Sequence, residues 1–204
     1  LQKKYKNVEI ILSNENLGYA KGNNLGLSKV KTEYALILNP DVTIEKNTLE
    51  NFFSIIEKEK NFAIISPEIQ DEKKYLKENI SRNVKLTQVQ QIKGFAMFLN
   101  LKEFKEIGFF DENFFIYLEE IDLCKRLLKK NKKIFVDSRV KFFHLGGSSH
   151  NDSINYEMEL SRNWHWMWST FYFNKKHYGY FFAFLKCFKK LFSSLAKIIY
   201  YTFT

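Results

Sequence analysis

The stretch "FFDENFFIYLEEIDLCKRLLKK", Phe109 to Lys130, crowds the carboxylates Asp111, Glu112, Glu119, Glu120 and Asp122 among large aromatics. Aromatics favour burial and an unpaired carboxylate is costly to bury, so the mixture asks for a reason. At about 100° per residue, Tyr117, Ile121, Cys124 and Leu128 form an apolar stripe with Leu127 on its edge; Glu119, Asp122, Arg126 and Lys130 fall on the opposite, solvated side. Asp122 and Arg126, spaced i, i+4, are expected to pair. Glu120 projects toward the Cys124/Leu127 edge, where desolvation would raise a carboxylate toward the range of a useful general base. The ordinary account, acids favoured in a first helical turn by the dipole, covers Glu119 and Asp122 better than Glu120.

Asp41, in "NPD", follows the apolar run "YALIL" and should lie just past the C-terminal end of a buried strand, where open α/β sheets place ligands. There it could hold a hard divalent cation through oxygen, or simply cap the next helix. His144 closes a further strand pattern and precedes two glycines; it could ligate a metal or contact phosphate, or be structural.

Two aromatic stretches admit two readings each. "SRNWHWMWSTFYF", Ser161–Phe173, reads first as a helix covering the core, alternatively as an aromatic surface for a sugar or a membrane interface. In a helix from Tyr180, Lys186, Lys189, Lys190 and Lys197 share one narrow sector, opposite Phe181, Phe184, Leu185, Phe188, Leu191 and Phe192 among others. That pattern suits a helix lying in an anionic membrane surface, or one docked on the domain.

The elements that must position these groups alternate. The pattern predicts strands at Asn7–Ser13, Tyr34–Leu38, Phe62–Ser66, Ile92–Asn100, Lys133–Val136 and Val140–His144. Helices are expected near Leu25–Val30, over Lys46–Glu59 and Leu101–Ile107, from the "EE" pair onward, and through most of the C-terminal quarter. Asn14–Asn24 reads as a turn-rich lead-in and Asp71–Thr87 as a polar excursion. This is an α/β layered fold with a mainly parallel sheet flanked by helices. The 45% hydrophobic content and two prolines exclude a disordered chain. A net charge of +9 favours acidic partners without choosing among them. Nucleic acid is not expected, because the lysines are scattered and no RNA-binding signature appears. Cys124 and Cys187 share no metal-ligand spacing and read as reduced thiols of a cytosolic protein.

In order and spacing, "NENLGYAKGNNLGL", "ILNPDV", "KGFAMFLNLKEFKEIGFFDENFFIYLEEIDLCKRLLKKNKKI" and "HLGGSS" resemble the GT-A-fold family 2 glycosyltransferases, particularly the bacterial rhamnosyltransferase-like branch. The resemblance implies a glycosyltransferase domain over residues 1–150, a C-terminal amphipathic, membrane-proximal segment over 151–204, and family first strands that would precede Leu1. It implies sugar transfer with inversion from a nucleoside-diphosphate sugar, dTDP-rhamnose favoured, to a lipid-linked oligosaccharide of O-antigen or capsule synthesis. The place would be the cytoplasmic face of a bacterial plasma membrane. Carried over by motif, Glu120 is the base, and Asp41 and His144 hold Mg2+ or Mn2+. Asn16, Gly18, Asn23, Asn24, Asn39, Gly94, Phe95 and Ala96 line the donor, and Asp111 and Glu119 lie near the acceptor. The chain departs from the pattern with Asn39 in place of a first Asp and "EE" in place of the commoner "ED". The competing expectation is an inactive fragment serving as a membrane-associated binding module.

Overall fold

A computed structural model of the chain describes residues 7–67, 86–140, 142–144 and 155–203. Among them a five-stranded sheet runs in the order β1-β5-β3-β6-β4, built from β1 (Tyr34–Leu38), β3 (Ile64–Pro67), β4 (Leu86–Gln88), β5 (Ala96–Asn100) and β6 (Ile134–Asp137). A two-stranded ribbon pairs β2 (Val42–Ile44) with β7 (Phe142–His144). The helices are α1 (Gly18–Leu27), α2 (Thr48–Lys58), α3 (Glu119–Lys129), α4 (Asn155–Tyr178) and α5 (Tyr180–Phe203), with a 3-10 turn at Leu101–Phe104. The α/β fold is as expected.

Side chains alternate between two cores, as the period of two in a strand requires. Ile64, Met97, Leu99 and Ile134 face one core with Ala20 and Leu27 of α1 and Leu123, Cys124 and Leu127 of α3. Ile65, Phe98 and Phe135 face the other with Phe52 and Ile55 of α2. Phe52 stacks on Phe98 at 4.6 Å between centroids. Each such fully buried ring contributes on the order of 2–3 kcal/mol by removing apolar surface from water.

Sheet direction is a correction. Of the pairings, β1–β5, β3–β5 and β4–β6 are antiparallel and only β3–β6 is parallel, so the sheet is mixed. An unbroken apolar run reports burial on both faces. Here helices on both faces supply that burial whatever direction the neighbouring strand takes.

Two other expectations change. Residues 7–13 form no strand; Leu12 is 86% exposed, and the segment has no ladder partner among the described residues. The glycine- and asparagine-rich stretch expected to be a turn is instead helical from Gly18, with α1 ending where the helix had been expected to begin. Tertiary contacts override its weak intrinsic propensity: Ala20 and Leu27 are buried, and the Tyr19 N–H donates to the Phe115 carbonyl at 2.7 Å. The polar excursion Asp71–Thr87 falls mostly outside the described residues.

Candidate active site

The Glu119–Glu120 pair opens α3 behind a backbone turn in which Tyr117 (φ 73°) and Leu118 (φ 68°) are both left-handed. Neither residue is a glycine, and each costs about 1–3 kcal/mol in that region unless its surroundings hold it there. The surroundings come from both sides. The Ser169 hydroxyl of α4 donates to the Ile116 carbonyl at 2.7 Å, and His165 stacks on Phe115 at 4.3 Å. On the other side the N-terminus of α1 docks directly on Phe115. Gly18 (φ +69°) has no room for a side chain, since a Cβ there would meet the Phe115 carbonyl oxygen at 2.3 Å.

This turn drives both glutamates inward. Glu119 is 5% exposed, which corrects the solvated placement expected from helical spacing. Its Oε2 and that of Glu120 are buried without a hydrogen-bond partner among the described residues. Burial, then the neighbouring Glu120 charge, raises Glu119 from 4.5 to about 7. Burial also pushes Glu120 up, against the pull of its own N–H, the Lys93 ammonium and the Ile121 N–H. Glu120 thus has the raised basicity expected of it, and Glu119 shares the property.

Gly94 lies against the pair: a Cβ on it would stand 3.3 Å from the Tyr19 hydroxyl and 3.7 Å from the Glu120 Cβ. The Tyr19 hydroxyl donates to the Gly94 carbonyl. Burial and the two glutamate charges raise the Tyr19 phenol well above its usual range. From Gly94 the chain leads to the "NPD" turn. The Phe95 carbonyl accepts from the Asn39 N–H at 2.9 Å, and Ala96, fully buried, pairs with Leu38 at the end of β1. The Asp41 Oδ1 is buried in this turn. Val42 pairs with His144, which sets the backbone of His144 beside the Asp41 turn; its ring lies outside the described residues. Asp41, Gly94, Phe95, Ala96, Glu119, Glu120 and the His144 backbone, far apart in sequence, are therefore linked through neighbouring elements.

No group of three His, Cys, Asp or Glu side chains converges as a metal cage among the described residues. A hard carboxylate with an imidazole-bearing residue on the adjacent strand suits a cation that takes its other ligands from phosphate oxygens and water.

Other expected site residues have structural work. The Asn16 Oδ1 accepts from the Gly18 N–H at 3.0 Å and starts α1. The Asn23 amide donates to Tyr19 O, and Asn24 exchanges bonds in both directions with the Phe110 backbone at 2.9 and 3.0 Å. Asp111 binds Lys176 at 2.7 Å, Tyr172 and Asn113; burial pushes it up, but these bonds outweigh burial and hold it at about 2.

Asp122 is another correction to the solvated face. It is fully buried, paired with Arg126 (2.7 Å) as expected, and also with Lys176 (2.7 Å) and His177 (2.8 Å) of α4. Lys176 and His177 could not have been assigned to it from sequence, because the contact spans more than fifty residues. Tyr19 was also missed; its only local signal is its place inside "NLGYAKG". A separate open groove of about 440 Å³, between residues 12–17 and α1, includes Asn24 and Glu112 but none of the converging carboxylates.

The aromatic stretch of α4 does not simply cover the core: Trp164, Trp166 and Trp168 are all exposed. The same holds for the apolar face of α5, where Phe181 is 75% exposed and Phe184, Leu185, Phe188, Leu191 and Phe192 stand open. Lys186 is exposed beside it; the side chains of Lys189, Lys190 and Lys197 lie outside the described residues. No helix among the described residues is long and apolar enough to cross a membrane.

Known proteins resemble this chain in sequence and in fold. The family profile "Glycosyl transferase family 2" matches residues 1–126. The chain is 30% identical over 152 residues to the low-salt glycan biosynthesis hexosyltransferase Agl10 of Haloferax volcanii, covering 64% of this chain and 49% of that protein. It is 25% identical over 189 residues to the rhamnosyltransferase WbbL of Escherichia coli K12, covering 76% and 69%. The chain thus spans about half of one relative and two thirds of the other. Among solved structures, GalNAc-T7 with UDP, GalNAc and Mn2+ superposes with a TM-score of 0.55 at 11% identity, covering 84% of this chain and 41% of that one. At that identity the likeness concerns the fold, the GT-A type of glycosyltransferases.

Proposed function

The chain belongs to glycosyl transferase family 2, and from that premise we propose that it transfers a hexosyl unit with inversion from a nucleoside-diphosphate sugar to a saccharide hydroxyl. Rhamnose from its dTDP-activated form is the favoured donor and a lipid-linked oligosaccharide of bacterial surface polysaccharide synthesis the acceptor. WbbL, a rhamnosyltransferase by name, supports the sugar. The observation that carries the chemistry is the basicity-raised Glu119–Glu120 pair, Glu119 buried and Glu120 half-buried against Gly94. In this reading residues 1–150 carry the reaction and 151–204 the membrane-proximal segment, placed on the cytoplasmic face.

Glu120 takes the proton from the acceptor hydroxyl at its carboxylate oxygen as that oxygen attacks the anomeric carbon. Glu119, uncharged over part of the neutral range, can donate a hydrogen bond to the acceptor and spares Glu120 a second charge beside it. Gly94, Phe95 and Ala96 bring backbone close to the transferred sugar, with Tyr19 fixing the Gly94 carbonyl. Asn16, Gly18, Asn23, Asn24 and Asn39 serve the donor side, Asn24 by bracing α1 on Phe110. Asp111 lies on the acceptor side, tied to α4. Asp41 and His144 would hold Mg2+ or Mn2+, which when bound neutralises charge on the departing diphosphate. The α5 face with Lys186, Lys189, Lys190 and Lys197 would rest on anionic lipid.

The test is a screen of nucleotide-sugar hydrolysis and transfer by the full chain with Mg2+ or Mn2+, dTDP-rhamnose first. Turnover that EDTA removes and that Asp41→Ala abolishes supports the reading; no turnover of any donor with a lipid-linked acceptor sinks it.

A further inference from the structure

The exposed tryptophans of α4 are the feature that the reaction leaves unused, and they do not form one surface. At about 100° per residue, Trp166 lies roughly 160° around the helix from both Trp164 and Trp168. The residues between those edges dock the helix: His165 stacks on Phe115, and Ser169, fully buried, bonds Ile116. Trp168 belongs to the far edge, where its indole N–H donates to the Asn113 carbonyl at 3.2 Å and its ring stacks on Tyr172. Trp166 takes the other edge and meets Tyr117 edge to face, at 5.4 Å between centroids and 73° between planes. Tyr117 is the first of the two left-handed residues that aim Glu119 and Glu120.

We propose that Trp166 and Tyr117 form the platform that receives the acceptor saccharide, and so set which acceptor is used. The inference rests on the glycosyl-transfer reading above. Two nearly perpendicular aromatic planes make a corner, and a pyranose offers a C–H face to one plane while its hydroxyl edge stays wet. Trp166 is 40% exposed beside Tyr117, so part of the platform is open to solvent. The platform joins the glutamates along the chain, since Tyr117 and Leu118 form the left-handed turn that leads into Glu119 and Glu120. A flat bilayer is a poorer occupant, because it cannot meet this edge and the Trp164/Trp168 edge together.

The test titrates the full chain, followed by tryptophan fluorescence, with the methyl glycosides of rhamnose, galactose, mannose and N-acetylglucosamine. At least one should bind saturably, weaken about tenfold or more in Trp166→Ala, recover in Trp166→Phe, and change less than about threefold in Trp164→Ala. Donor hydrolysis without acceptor should survive Trp166→Ala, which separates lost acceptor binding from a collapsed fold. Three results would each overturn the proposal: none of the glycosides binds, Trp166→Ala binds them as tightly as the parent, or Trp166→Ala loses only adsorption to phosphatidylglycerol vesicles. Absence of donor turnover in the parent would instead count against the transfer reading, while glycoside binding would still decide this one.

Discussion

Glu119, buried, and Glu120, half-buried, are adjacent, and each has one buried carboxylate oxygen without a partner among the described residues, which makes them a unit that releases protons in a coupled way. The consequence for stability has a definite sign. Glu119 is raised from 4.5 to about 7, so over that window the folded chain binds more protons than the unfolded one. The contribution is fully present below 4.5 and is lost as pH rises through about 7. Glu119→Gln, which stays neutral, should therefore gain on the order of 3 kcal/mol over the parent at pH 8 and nothing at pH 4. Chemical denaturation at the two pH values measures it, and an equal difference at both would show that Glu119 is not held protonated. Gly94 gives a second residue-scale expectation. Gly94→Ala places a methyl 3.3 Å from the Tyr19 hydroxyl, so it should lower turnover while leaving the melting temperature nearly unchanged. A steep loss of stability would assign Gly94 to the core instead.

At the scale of elements, α1 and α4 grip the 113–117 segment from opposite sides and so hold the strained turn before α3. Gly18→Ala adds both a disfavoured φ of +69° and a 2.3 Å overlap with the Phe115 carbonyl. It should cost at least about 2 kcal/mol, read by thermal unfolding, and reduce activity in proportion as α1 lifts. Wild-type stability would mean that the α1–Phe115 contact is not formed. Much of this scale was legible in sequence. "YALIL" and the "EE" helix carry their boundaries in their apolar periodicity, and the Asp122–Arg126 pair follows from its spacing. What was not legible has common physical causes. Strand direction leaves no trace in a run buried on both faces. The helical state of "GYAKGNNLGL" is decided by a contact with residue 115. Asp122 appeared solvated because the cations that cover it, Lys176 and His177, arrive on a helix some fifty residues later. Glu120 stands out in the sequence because it departs from its helix's own pattern; Tyr19 does not, because an aromatic in a glycine-rich loop departs from nothing.

For the whole molecule, a charge of +9 combines with an α5 whose Phe181, Phe184, Phe188 and Phe192 are uncovered and whose sequence spaces its lysines into one helical sector. An interfacial helix joins apolar burial to attraction for anionic lipid, and that attraction weakens as salt screens it. The chain should co-sediment with phosphatidylglycerol vesicles and not with phosphatidylcholine alone, and Lys186→Glu should weaken binding about fivefold or more. Equal binding to both lipids, or none to either, would contradict the membrane-proximal role of 151–204 without touching the catalytic one. The catalytic proposal rests on a single carboxylate, that of Glu120 beside Gly94, and Glu120→Gln addresses it most directly. It keeps the shape and removes the base. The account expects rhamnosyl or other hexosyl transfer to fall about 10²–10⁴-fold, with nucleotide-sugar binding and folding retained. A Glu120→Gln chain that transfers at the parent rate would contradict it.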